Sequence, residues 1–326
     1  MDGLLRPSDD LFNLKDAEKL LDKLEAFLAA EGIVAAQGSV FETECLLVVP
    51  QKELAAAFPK RKPDGAHFAD LRAFNSLMHV VVKLLRQFES KNIKPFLPHL
   101  ELLAEGQLGQ GVRIPPSKLV ERSKTASNKL FELYVGLSCA ERFNNVRLEN
   151  PKKAQGHPDV LADFQGKTWA FECKVIKSDR GDAMWKNLVK AVGQIEKSEA
   201  EAGAAVFNIS SLVNHQEFLQ DPTEEEPRLR SFHSDKHLDD KLKATCGELL
   251  EPILQTYSYD ELEVLFEAKK AVKGVLAYIE TTVLKAYPFG TLANGCGASV
   301  HRCFSRANLI PSIAALDALQ NSITGG

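Results

Sequence analysis

The segment Gly156–Val175 reads GHPDVLADFQGKTWAFECKV, and the rest of the chain is organised around it. Two runs rich in apolar and small residues, 159–164 and 168–175, are separated by Gln165 and Gly166, which supply turn chemistry. Strand-like runs on either side of a tight turn are typical of a β-hairpin. We therefore predict a hairpin here, with one strand on each side of the Gln-Gly turn.

Three charged side chains of this hairpin are predicted to meet. Successive side chains of a strand point to opposite faces, so Glu172 and Lys174 share one face of the second strand. Asp159 opens the first strand, and a hairpin this short brings it beside them. Two neighbouring carboxylates need a cation, and oxygen ligands suit Mg²⁺ or Mn²⁺. A nearby ammonium can orient attacking water and stabilise charge on a phosphate, so the set fits metal-assisted phosphodiester hydrolysis.

Pro158-Asp159, then twelve residues, then Glu172-Cys173-Lys174 resembles the PD-(D/E)xK motif of the restriction-endonuclease-like nuclease superfamily. The resemblance implies that Asp159 and Glu172 bind Mg²⁺, or Mn²⁺, together with a backbone carbonyl at Cys173, and that Lys174 assists catalysis. It also implies an α/β fold with a restriction-endonuclease-like core, in which helices flank a mixed central sheet. DNA is the implied partner, and restriction, phage defence and repair are the implied settings.

The helices on either side of the hairpin extend the resemblance. In the superfamily the preceding helix often donates a further acidic residue, which we place at Glu132 of the predicted helix 117–143, with Glu141 as the second choice. The helix after the hairpin carries Gln194, which resembles a glutamine that faces the active site in some members. Those members have an aromatic residue four positions later, where this chain has Ser198. A solvent-facing glutamate is the alternative interpretation of Glu132.

Four lysines are candidates for substrate binding. Lys152 and Lys153 lie in the loop that leads into the hairpin, and Lys186 and Lys190 lie one helical turn apart on the next helix. Lysines beside a phosphodiester site can contact the nucleic-acid backbone. The alternative is that they belong to solvated surfaces.

The segment 106–116, with three glycines and two adjacent prolines, marks a boundary. It divides a mainly helical N-terminal accessory region, residues 1–115, from a nuclease-like domain, residues 116–326, that carries a polar insertion at 214–258. The N-terminal region could pair with a second copy, as in a homodimer, or contact a partner protein. Further elements are predicted from periodicity: helices at 13–31, 66–90, 182–202, 235–257, 260–271 and 313–319, and strands at 40–50, 145–149, 204–210, 274–284 and 298–304.

The amino-acid composition indicates the general class of protein. A chain of 326 residues with 44% hydrophobic and 26% charged residues is typical of a soluble globular protein. The net charge of −4 requires any DNA contact to be a local patch. Scattered cysteines and the absence of a leader-like start or a membrane-length apolar run predict a cytoplasmic protein without a membrane partner.

Two alternatives to a nuclease are left open. The hairpin could carry an ordinary surface ion pair between its glutamate and lysine. The chain could also be a catalytically silent binding or assembly protein that keeps the nuclease fold, which the acidic net charge and the helical N-terminal region favour. An RNA substrate is less favoured, because nothing in the sequence resembles an RNA-binding module with stacked aromatic residues.

Overall fold

The computed structural model describes residues 14–34, 37–57, 65–110, 121–152, 156–218, 235–267, 269, 272–287, 290–303 and 309–323. Within these residues the chain forms a mixed open sheet covered by helices, an α/β fold. None of the described helices combines the length and apolarity that crossing a membrane requires.

Six strands follow one another across the sheet in chain order, as far as the structure describes the chain. Strands β1 to β3 pair antiparallel, β3 to β5 pair parallel, and β5 and β6 form a second antiparallel hairpin. The bounds are β1 Asn144–Leu148, β2 Val160–Phe164, β3 Lys167–Val175, β4 Ala202–Asn208, β5 Val272–Tyr287 and β6 Gly290–Cys303.

The helices lie before the sheet, at its crossovers and at its end. Their bounds are α1 Leu14–Ala30, α2 Val40–Cys45, α3 Val48–Ala57, α4 Gly65–Glu89, α5 Leu97–Leu100, α6 Glu121–Cys139, α7 Gly181–Glu196, α8 Asp235–Thr256, α9 Tyr259–Glu267 and α10 Leu309–Ile323.

The predicted hairpin is confirmed. Strands β2 and β3 pair in register from Val160 opposite Phe171 to Phe164 opposite Lys167. Gln165 and Gly166 form the turn with φ angles of 50° and 78°. Both angles fall in the left-handed region, which matches the right-handed twist of the two strands. The strand predicted at 204–210 is confirmed as well: it forms β4, which runs parallel beside β3 after the crossover through α7.

The strand predicted at 40–50 is wrong, since this segment forms helices α2 and α3. Ser39 caps α2 by accepting a hydrogen bond from the backbone nitrogen of Glu42 at 3.1 Å, and the Glu42 carboxylate accepts from the backbone nitrogen of Gly38. The bonds resemble a capping box, which starts a helix, except that the glutamate bonds the residue before the cap instead of the cap residue itself. The local cap therefore outweighs the β-propensity of the valines that follow.

Three other predicted elements have different bounds. Helix α7 ends at Glu196 instead of 202, because Ala202 already pairs with Trp169 of β3. Val189 of α7 is 41% exposed. Strand β6 begins at Gly290, well before the predicted 298. The last helix, α10, is longer than predicted at both ends.

Two hydrophobic cores cover the two faces of the sheet. Phe171 of β3 and Val206 of β4 belong to the first core, with α1, α4, α6 and α10. Ala170 and Phe207, on the opposite face of the same strands, belong to the second, with α7, α8 and α9. Helices of the N-terminal region thus pack into the same core as the sheet. Near the end of β3, side chains of α6 and of α7 reach the hairpin from the two sides of the sheet.

Candidate active site

Asp159 and Glu172 lie side by side where β2 begins and β3 approaches its end. Their exposed fractions are 3% and 0%. The Asp159 carboxylate accepts a hydrogen bond from the backbone nitrogen of Cys173 at 2.8 Å. The Glu172 carboxylate accepts one from the backbone nitrogen of Asp159 at 3.3 Å. Each acid is therefore held by the backbone of the other strand, and the hairpin register fixes the pair.

Lys174 joins this pair from the same strand. Its ammonium contacts the Glu172 carboxylate and donates to the side-chain oxygen of Gln194 at 3.4 Å. The side chain is 16% exposed, so it is mostly enclosed. The structure therefore brings Gln194 of α7 to the predicted lysine. Ser198, at the position where some members of the superfamily have an aromatic residue, donates a hydrogen bond from its hydroxyl to the carbonyl of Ile195 at 2.6 Å.

Glu132 of α6 also reaches the site. Its buried carboxylate lies 2.8 Å from the ammonium of Lys129, and that ammonium lies 3.5 Å from Asp159. Glu141, the second choice for this position, pairs instead with Lys83 at 2.8 Å and Arg86 at 3.5 Å. Glu132 within α6 and Glu141 just beyond its end thus have different surroundings, and Glu132 is the one beside the hairpin carboxylates.

Two residues of this site were missed in the sequence. Lys129 lies one helical turn before Glu132, a spacing that predicts an ion pair but says nothing of Asp159. His99 of α5 is fully buried, and its Nε2 lies 3.4 Å from the Glu132 carboxylate. Among the described residues its Nδ1 has no hydrogen-bond partner. A single histidine in an apolar run gives no signal of this contact.

Burial and like charge perturb the acids of the site. Burial and the neighbouring Asp159 carboxylate together raise the pKa of Glu172 to about 8, against the opposing effect of Lys174. Burial, with Asp159, also raises the pKa of Glu132 well above its usual range. Perturbed carboxyl groups of this kind cluster at functional sites. The lysines beside Glu132 and Glu172 lower these pKa values, but burial outweighs them.

The two lysines show the complementary effect. Burial would lower the pKa of Lys174, but the carboxylates of Glu172 and Asp159 outweigh it and raise that pKa. Burial opposes the charge of Lys129 in the same way, and Glu132 and Asp159 again raise its pKa. Both lysines are therefore held as cations. Three carboxyl groups and two ammonium groups share one enclosed end of the hairpin.

The donor set fits Mg²⁺ in one respect and not in another. In the part of the chain that the structure describes, no three or more His, Cys, Asp or Glu side chains group as a metal cage. Mg²⁺ does not require such a cage, because it keeps several waters and commonly binds one or two carboxylates together with substrate phosphates. Asp159 and Glu172 match this two-carboxylate pattern. Burial raises the pKa of the Cys173 thiol, so Cys173 would act only through its backbone carbonyl.

The predicted substrate lysines have different surroundings. Lys186 and Lys190 are exposed on α7, and Gln194 continues their stripe one turn further on. The last residue of this stripe, Gln194, contacts Lys174. Lys152 is exposed and contacts Glu101, whereas Lys153 lies outside the described residues.

No family model, curated protein or solved structure matches this chain.

Proposed function

We propose that the chain is a metal-dependent endonuclease that hydrolyses phosphodiester bonds of DNA. One observation carries the proposal: Asp159 and Glu172 are buried side by side, and the ammonium of Lys174 lies between Glu172 and Gln194. A surface ion pair would be exposed to solvent, and this set is enclosed. The residues thus have the pattern that metal-assisted phosphoryl chemistry requires.

The order of the elements supports a restriction-endonuclease-like core. Helix α6, strand β1, the β2–β3 hairpin, helix α7 and strand β4 follow one another as in the superfamily that the motif resembles. The pairing of β4 parallel to β3 fits the same arrangement. Both agreements are independent of the motif residues themselves.

Each residue of the site has a proposed role. Asp159 and Glu172, with the Cys173 carbonyl and Glu132, would hold Mg²⁺ or Mn²⁺, which supplies Lewis acidity toward the phosphate. Lys174 orients the attacking water and stabilises the charge that develops on the phosphate oxygens. Gln194 fixes the position of Lys174 by accepting from its ammonium.

Substrate binding would follow α7. Lys186 and Lys190 contact phosphates of the DNA backbone, and Lys152 and Lys153 contact it from the loop before the hairpin. The net charge of −4 restricts this contact to a local patch. Restriction, phage defence or repair in the cytoplasm would use such an enzyme.

The test is cleavage of plasmid, linear duplex and single-stranded DNA by the purified protein with Mg²⁺, Mn²⁺ or EDTA. We expect metal-dependent cleavage that Asp159→Ala abolishes while circular dichroism shows an intact fold. Cleavage that persists in Asp159→Ala, or in EDTA, would remove the proposed role of this site.

The second candidate is a binding or assembly protein with a silent nuclease-like site. It is favoured by the absence of a three-ligand cage among the described residues and by the ammonium groups that already neutralise the acids. Metal binding separates the two candidates. A thermal shift with Mn²⁺ that disappears in Glu172→Ala supports the enzyme, and no shift in the wild-type protein supports the silent site.

A further inference from the structure

Lys129 is a second lysine at the site that the motif does not include. Its ammonium lies between two carboxylates, 2.8 Å from Glu132 and 3.5 Å from Asp159. Its side chain is 24% exposed, more than that of Lys174 at 16%. Lys129 therefore contacts a proposed metal ligand directly and still has access to solvent.

The two lysines reach the acids from different elements. Lys174 comes from β3 and contacts Glu172 and Gln194, while Lys129 comes from α6 and contacts Asp159. Each hairpin carboxylate thus has its own ammonium group. In this arrangement the position beside Asp159 is already taken by a positive charge.

His99 does not supply that charge. Burial lowers the pKa of His99 to about 3, with a further contribution from Lys129, so its imidazole is neutral. It contacts Glu132 from the side of the N-terminal region at 3.4 Å. Lys129 is consequently the cation that lies beside both Glu132 and Asp159.

We propose that Lys129 competes with the divalent cation for Asp159 and, once the cation binds, presents its ammonium to the substrate phosphate. The inference rests on the proposed nuclease function. A cation held by Asp159 would repel an ammonium 3.5 Å from the same carboxylate. The four-carbon stem of lysine is flexible, so the displaced group can move toward the solvent side, where a phosphate would lie.

A purely structural ion pair would behave differently. Loss of a lysine with only a structural role would lower stability and leave two acids uncompensated. Metal binding would then tighten no more than it does when a distant positive charge is removed. Competition instead predicts that removal of the ammonium strengthens metal binding and weakens catalysis together. The two readouts move in opposite directions only if Lys129 has both roles.

The experiment is calorimetric titration of the full chain with Mn²⁺ at fixed ionic strength, comparing wild type with Lys129→Met. We expect Lys129→Met to bind Mn²⁺ about tenfold more tightly than wild type. This gain is a modest share of the repulsion between the ammonium and a divalent cation at such a short distance. Lys167→Met is the matched control, because it removes the same charge at the opposite end of β3, and its affinity should not change. Lys129→Arg keeps the competing charge and should not show the gain.

Cleavage of duplex DNA at saturating Mn²⁺ is the second readout, and we expect Lys129→Met to be slower than wild type. If Lys129→Met does not fold, Lys129→Gln removes the charge while keeping a donor for Glu132, with the same expectations. Unchanged or weaker Mn²⁺ affinity in the folded variant overturns the inference. If the inference fails in this way but Glu172→Gln abolishes Mn²⁺ binding, the proposed function still stands. If Glu172→Gln leaves Mn²⁺ binding unchanged, both the inference and the proposed function are overturned.

Discussion

At the scale of single residues, the candidate site depends on hydrogen bonds that hold its buried acids in place. The Asp159 carboxylate bonds the backbone of Cys173, and Glu172 bonds the backbone of Asp159. An acid buried without a partner would destabilise the fold by several kcal/mol, so these contacts are needed before any chemistry occurs. Lys174 is in turn restrained by the Glu172 carboxylate and by the side-chain oxygen of Gln194.

Gln194→Ala should slow DNA cleavage about fivefold to tenfold, because it removes one hydrogen bond of about 1 kcal/mol from the ammonium of Lys174. The affinity for Mn²⁺ should stay the same, since Gln194 contacts no carboxylate that would hold the metal. Cleavage rates and calorimetric titration measure the two effects. Lys197→Ala, an exposed position just beyond α7, is the control. A large fall in metal affinity would show that Gln194 has another role.

At the scale of elements, the β2–β3 hairpin sets the register on which the site depends. Its turn places Gln165 at a φ of 50°, an angle that non-glycine residues seldom adopt and that asparagine tolerates best. Gly166, at 78°, occupies the position where glycine is favoured. The turn is therefore close to the Asn-Gly pattern and differs from it at one residue.

Gln165→Asn should raise the free energy of unfolding by a few tenths of a kcal/mol to about 1 kcal/mol, because asparagine relieves strain at the first turn position. Gly166→Ala should lower it by about 1 kcal/mol or more for the opposite reason. Urea denaturation of the two variants and the wild type measures both effects. A less stable Gln165→Asn would contradict this description of the turn.

The sequence predicted elements whose signals are local. The hairpin follows from alternation and a Gln-Gly turn, and the parallel strand β4 follows from a buried run after a crossover helix. The strand predicted at 40–50 is wrong because another local signal, the helix cap at Ser39, starts a helix there. His99 and Lys129 could not be placed, because their contacts arise when α5 and α6 pack beside the hairpin. His99 is 33 residues from Glu132 in the chain, and spacing does not encode such a contact.

At the scale of the whole molecule, a buried network around Glu280 ties β5 to helices far away in the chain. Its carboxylate accepts hydrogen bonds from Ser76 of α4 at 2.8 Å and from Tyr278 at 2.9 Å. Its backbone nitrogen donates to the hydroxyl of Ser210 at 2.9 Å, and Tyr278 lies 3.3 Å from Tyr134 of α6. The N-terminal helices and the sheet are thus joined by polar contacts as well as by the first core.

Burial raises the pKa of Glu280 from 4.5 to about 7, against the opposing effects of Ser76, Tyr278 and Arg72. Between these two values the folded state binds more protons than the unfolded state, so this group's contribution to stability falls as pH rises through that window. We expect Glu280→Gln to remove this dependence. The unfolding free energy of Glu280→Gln minus that of wild type should rise by about 3 kcal/mol as the pH is raised from 5 to 8.

Urea denaturation of wild type and Glu280→Gln at the two pH values tests this expectation. The difference between the two proteins isolates Glu280, because the other titrating groups contribute equally to both. A difference that does not change with pH would show that Glu280 has the same pKa in the folded and unfolded states.

The central claim is that the enclosed acids and Lys174 form the active site of a nuclease. The most direct measurement is the rate at which supercoiled plasmid is cut in Mg²⁺ by wild type, Lys174→Ala and Lys167→Ala, two single-charge changes in the same strand. We predict a loss of at least about a hundredfold for Lys174→Ala, as for removal of a group that stabilises transition-state charge, and no loss for Lys167→Ala. Equal cleavage by Lys174→Ala and wild type would contradict the account.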